Sequence, residues 1–175
     1  MVSITAVYQA VLVVAGVACL GIAVYAWRME STRGQREVIG LFLAIDVWIV
    51  QALLTTVFAG TPVARTILKS HFFGMTLVPA FALLAALQYT GREKYINGWL
   101  GLFLAIQPVV TGVGVQFQSV ARQAFQFGAA DPSAFYGYQV TYGWFLFANV
   151  IWAYLLLALA TGLFLEFAVR ADPVY

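Results

Sequence analysis

Long apolar runs broken by short polar gaps set the pattern of this chain. The runs cover about 5–27, 38–59, 71–90, 97–116 and 141–167. Each holds roughly 18–25 residues, the length a helix rising 1.5 Å per residue needs to cross about 30 Å of hydrocarbon. None alternates apolar and polar residues as a barrel strand does. An open strand edge would leave backbone groups unpaired in lipid, so every run is predicted to be a helix. The stretch from Val11 to Trp27 has no polar face at helical spacing, unlike the amphipathic helices of a soluble bundle. The predicted fold is all-α: a polytopic transmembrane bundle of five spans, forming a single membrane domain over 1–175.

Composition narrows the function. Hydrophobic residues make up 63% and charged residues 9% of the 175, which leaves no room for a soluble catalytic module beside the membrane domain. The chain is not expected to be an enzyme, to carry a cofactor or to bind nucleic acid. Cys19 is the only cysteine, so neither an intrachain disulfide nor a Cys-based metal site is available. The first run does not read as a cleaved signal, because no Lys or Arg precedes it and its apolar stretch continues to Trp27.

Orientation follows from the cations, which are retained on the cytoplasmic side of a span. The gaps after runs one, three and five hold Arg28, Arg33, Arg36, Arg92, Lys94 and Arg170; the others hold Arg65, Lys69 and Arg122. That bias predicts a multi-pass protein of the cell membrane with its N-terminus outside and its C-terminus inside.

The gaps differ in character. Gly60-Thr61-Pro62 is a helix stop followed by a restart. The short gap Gly91-Arg92-Glu93-Lys94 forces helices three and four into an antiparallel pair, which is the contact expected to be firmest. The connection over about 117–140 is long and rich in aromatics, among them Phe117, Phe125, Phe127, Phe135, Tyr136 and Tyr138. Two readings stand for it: an ordered external cap, with an interfacial turn or hairpin broken at Asp131-Pro132, or an aromatic belt that only fixes depth.

Polar groups inside the spans are the candidate chemistry. Asp46 is the acidic residue deep in the second run, where a charged carboxylate costs at least ~2.5–3.5 kcal/mol. Its candidate partners are Gln107, Thr111, Trp152 and Tyr154. A ligand or proton site and a neutral interhelical hydrogen bond both remain open for it. Gln51, Gln107 and Asn149 lie near the midplane, where amides commonly bond across helices. Gln51 sits about 140° around the helix from Asp46, so the two face different neighbours. Pro79 and Pro108 each remove a mid-helix hydrogen bond and are candidate kinks or hinges. His71, the one histidine, has no second ligand for a metal at its level, and no lysine falls within the runs to hold retinal.

The stretch His71-Phe72-Phe73, then Pro79, then Gln88-Tyr89-Thr90-Gly91-Arg92 resembles the third helix of the N-terminal seven-helix sensor region of archaeal and bacterial membrane histidine kinases. Trp48, and the passage from Tyr136-Gly137 through Trp144 to Tyr154-Leu155-Leu156-Leu157, is similar to the same family. The family pattern continues with two more helices and usually a kinase module, whereas this sequence reaches Tyr175 just after its fifth run. The resemblance implies a sensory, signal-transducing module of a two-component type that lacks the kinase itself.

On that reading Asp46, Gln107, Asn149 and Tyr154 offer polar contacts to an unknown small-molecule or lipid ligand. Pro79 and Pro108 supply hinges, while Tyr89 and Arg92 anchor the inner interface. The implied partners are the lipid bilayer and a membrane or cytoplasmic signalling protein. Two alternatives stay open: a small transporter or channel subunit in which Asp46 titrates, and a truncated fragment or assembly scaffold.

Overall fold

The computed structural model describes residues 4–29, 33–131 and 134–170. In chain order they form α1 (Ile4–Arg28), α2 (Gln35–Val57), α3 (Pro62–Tyr89), a 3-10 turn (Glu93–Tyr95), α4 (Gly98–Gly114), α5 (Gln118–Ala124), β1 (Phe125–Ala130), β2 (Tyr138–Tyr142) and α6 (Trp144–Arg170). The expected helical membrane bundle is present. α1, α2, α3 and α6 are each long and apolar enough to cross a membrane. The count reaches five if α4 and α5, bent by 107° at their junction, form one span.

α3 begins at Pro62 rather than near 71. Arg65 and Lys69 interrupt the apolar run without interrupting the helix. Thr61 caps it, its side chain accepting from the Ala64 amide, and Pro62 occupies the first turn, where its missing N–H costs nothing. The apolar run thus marks the hydrocarbon and the cap marks the helix. At 1.5 Å per residue, 28 residues extend about 42 Å, so α3 projects beyond a core of about 30 Å. The expectation of lysine-free spans is amended accordingly: Lys69 lies on α3, towards its end.

α3 is the axis of the bundle. α2, α4 and α6 all pack on it, whereas α1 packs chiefly on α2 and buries only Ala23. Ala80, Leu83, Ala86 and Leu87 of α3 meet Leu104 of α4 and Leu156 and Ala160 of α6 in one buried cluster. The most extensive helix contact is α2–α3, not the α3–α4 pair. Lipid removes most of the hydrophobic drive for helix association, so close approach at small residues decides which pair packs best. Gly74 provides that approach, since a Cβ there would stand 2.9 Å from the Trp48 Cα.

The long connection folds into α5 and an antiparallel hairpin. Phe125 pairs with Tyr142, Gln126 with Thr141, Phe127 with Val140 and Ala130 with Tyr138, with an irregularity between Phe127 and Ala130. Of the expected Asp131-Pro132 break, Pro132 lies outside the described residues. The hairpin is docked on the α2–α3 turn: the Gly60 amide donates to the Tyr136 carbonyl at 3.1 Å, and the Tyr138 hydroxyl to the Gly60 carbonyl at 2.5 Å. Gly137, at φ 72°, abuts Gly60, where a side chain would collide with backbone. The Arg65 guanidinium lies 4.0 Å from the centroid of the Tyr138 ring and 5.7 Å from that of Phe127.

Candidate functional site

The four polar residues expected to share a site fall in three places. Gln107 of α4 and Asn149 of α6 do meet. The Gln107 amide donates to Asn149 Oδ1, which also accepts from the Thr111 hydroxyl at 2.7 Å, while Asn149 Nδ2 donates to the Phe145 carbonyl at 2.7 Å. Asn149 is only 2% exposed, so this is a closed knot between two helices with little capacity left for a ligand.

Asp46 is elsewhere. It faces α1, where a Cβ on Gly16 would lie 3.6 Å from its Oδ1, and its buried Oδ2 has no hydrogen-bond partner among the described residues. Gln51 points the other way, donating to the Ser70 carbonyl of α3 at 3.0 Å, as the helical angle requires.

Tyr154 lines a cleft of about 390 Å³ between α2, α3 and α6, together with Trp48, Met75, Pro79, Val150 and Ala153. The lining is almost wholly apolar. Pro79 does not break α3, which runs on to Tyr89, but it deprives the Met75 carbonyl of its helical donor inside the cleft wall. Pro108 likewise sits within unbroken α4, beside a smaller cleft of about 260 Å³ between α3 and α4. Above the first cleft, the Trp48 indole donates to His71 Nε2 at 2.7 Å. A neutral His71 therefore carries its proton on Nδ1, which is buried and has no hydrogen-bond partner among the described residues.

The opposite end is held by the Tyr89-Thr90-Gly91-Arg92 stretch. Gly91 turns left-handed at φ 71°. The Arg92 amide donates to the Leu87 carbonyl at 2.8 Å and the Gly91 amide to Gln88 at 3.1 Å, the paired bonds of a Schellman cap. The cap aims Arg92 at α6, where its guanidinium meets Glu166 at 2.9 Å; Arg170 holds the same carboxylate at 3.0 Å. The Tyr89 ring packs on Phe164 and Phe167 at 5.8 and 5.4 Å. These residues, read from sequence as interface anchors, also clamp α3 to α6.

A model of the N-terminal 7TM region of histidine kinase matches residues 11–175. The chain belongs to that family. No curated protein and no solved structure matches it. In this 7TM sensor region the match takes up nearly all of the sequence, so within these 175 residues no stretch remains for a kinase module.

Several contacts of this histidine-kinase sensor region escape sequence reasoning. Glu166 is visible only as one more charge at the end of the last run, and nothing local pairs it with Arg92. The Trp48–His71 bond carried a faint signal: both residues stand about equally far from Gly60, so an antiparallel α2–α3 pair puts them at one depth. Among the described residues, no group of three His, Cys, Asp or Glu side chains is arranged to hold a metal ion.

Proposed function

We propose that this chain is the signal-reception module of a membrane sensor, in which an apolar or amphiphilic small molecule or lipid enters the α2–α3–α6 cleft and shifts these helices against one another. The observation that carries the reading is the cleft's position. At about 390 Å³ it has the size of small-ligand sites, and it lies on the central helix beside Pro79. Met75, next to it, supplies a carbonyl freed from the helical ladder. Tyr154 and the rim pair Trp48–His71 give the polar contacts that such apolar sites use to orient a ligand.

The shift passes along α3 and α6 to the Arg92–Glu166 clamp as a change between two packings. From there a membrane or cytoplasmic signalling partner takes it up. Six of the nine Lys and Arg residues fall at that end, so it faces the cytoplasm, with the N-terminus and the hairpin cap outside. Asn149 and Gln107 serve as the knot about which α4 and α6 stay joined. The transport alternative, with Asp46 titrating, has less support, because Asp46 lines neither proline-bordered cleft.

The test is thermal stability in detergent against a panel of apolar and amphiphilic ligands, for wild type, Val150→Trp and Asp46→Ala. A ligand that stabilises wild type and Asp46→Ala but not Val150→Trp, whose indole fills the cleft, is the expected result. A shift retained in Val150→Trp would place the ligand elsewhere and defeat the proposal.

A further inference from the structure

The two ends of the bundle treat their cations differently. At the Arg92 end Arg33 faces Glu93 at 3.7 Å, and Arg92 and Arg170 share Glu166. At the hairpin end Lys69 and Arg122 have no ion pair among the described residues, yet both line one cavity of about 450 Å³. Lys69 comes from α3, Arg122 and Gln118 from α5, and Gln126, Phe125 and Phe127 from β1; no carboxylate is in the lining. Arg65, one helical turn before Lys69, adds its charge behind Phe127. Like charges converging on a cavity repel unless an anion sits between them.

Depth identifies the anion. Lys69 precedes Tyr89 along α3 by about 30 Å at 1.5 Å per residue, which is the thickness of the hydrocarbon core. With Tyr89 at one interface, Lys69 stands at the headgroup level of the other, where lipid phosphates lie.

We propose that this cavity binds a phosphate group borne on an apolar or glycerol-bearing molecule, with the oxygens between the Lys69 ammonium and the Arg122 guanidinium. The Gln118 and Gln126 carboxamides donate to the remaining oxygens, and the apolar part rests on Phe125 and Phe127. The depth of Lys69 favours an anionic phospholipid over a soluble phosphate ester as the source. The site is separate from the α2–α3–α6 cleft and does not depend on it.

The experiment is native mass spectrometry of the intact chain released from nanodiscs of equimolar phosphatidylcholine and phosphatidylglycerol. Wild type should retain phosphatidylglycerol preferentially. The double variant Lys69→Gln/Arg122→Gln should lose that preference by about thirtyfold, at roughly 1 kcal/mol for each cation near a membrane surface. The charge-conserving pair Lys69→Arg/Arg122→Lys should keep most of it, which separates loss of the site from loss of the fold. Arg33→Gln/Lys94→Gln, at the opposite end, should keep it fully. Millimolar soluble glycerol phosphate that fails to displace the lipid assigns the source to the membrane. Binding of glycerol phosphate at the same two cations, without lipid preference, assigns it to a soluble ester. Equal retention of lipid by wild type and Lys69→Gln/Arg122→Gln, with no glycerol phosphate bound, or an equal loss in the opposite-end variant, overturns the proposal.

Discussion

Replacing Asn149 by Leu removes the acceptor shared by Thr111 and Gln107 while keeping the branched outline of the side chain, so no cavity opens and the bulkier leucine crowds the site instead. The Phe145 carbonyl keeps its helical backbone donor and loses only the extra side-chain bond. Interhelical side-chain bonds in membrane bundles contribute on average ~0.6 and at most ~1.7 kcal/mol each. Two are lost, but Gln107 Nε2 and the Thr111 hydroxyl already stand 3.4 Å apart and can partly satisfy one another. The lost bonds alone should cost about 1–2 kcal/mol in Asn149→Leu, and crowding by the larger leucine adds to that. A double-mutant cycle with Thr111→Val, read by reversible unfolding in bicelles or by steric trapping, isolates the Thr111–Asn149 bond. Its coupling energy should be about 0.6–1.7 kcal/mol. Effects that add to within about 0.3–0.5 kcal/mol would mean the two side chains do not interact, and the knot between α4 and α6 would have to be abandoned.

Three further outcomes are expected. Asp46→Asn should match or exceed wild-type stability, because Oδ2 has no partner among the described residues to lose; a loss above about 1 kcal/mol would reveal a bond to that carboxylate. Gly74→Ala should destabilise by about 1–3 kcal/mol despite alanine's better helix propensity, since its Cβ would meet the Trp48 backbone at 2.9 Å. An unfolding measurement showing Gly74→Ala to be stabilising would contradict the close α2–α3 approach. The Tyr136 phenol is pushed up to about 12 by burial and then by the neighbouring Tyr142 and Tyr8. It holds its proton more tightly folded than unfolded, so its contribution is intact below pH ~10 and is lost as pH rises through about 12. Phenolate absorbance with stability followed over that window checks the sign, and Tyr136→Phe should flatten the fall.

Depth along the membrane was legible in the sequence, while direction around each helix was legible only in part. The apolar runs located α1, α2, α4 and α6 well, because lipid imposes a length on whatever crosses it. They misplaced the start of α3, because hydropathy reports where hydrocarbon begins and not where the backbone stops being helical. Gln107 and Asn149 stood out as amides at similar depth on what prove to be antiparallel neighbours. The divergence of Asp46 and Gln51 followed from 100° per residue alone. Which neighbour Asp46 faces needed the packing order: α1 leans on α2 and away from α4 and α6, so no amide from those helices reaches it. The hairpin's aromatics announced order, but its register and its seat on Gly60 depend on close backbone approach that composition does not encode.

Filling the cleft at Pro79 should move α6 relative to α2 at the far end of the bundle. The most direct measurement is electron–electron double resonance in nanodiscs, with spin labels at Arg36 and Val169 in a Cys19→Ser background, comparing wild type with Val150→Trp. Occupation of the cleft by the indole should shift the distance distribution by roughly 1–2 Å or more, the scale of helix movements at switching interfaces. Addition of Arg92→Ala, which releases the clamp on Glu166, should broaden the distribution. Superimposable distributions for wild type and Val150→Trp would contradict the account.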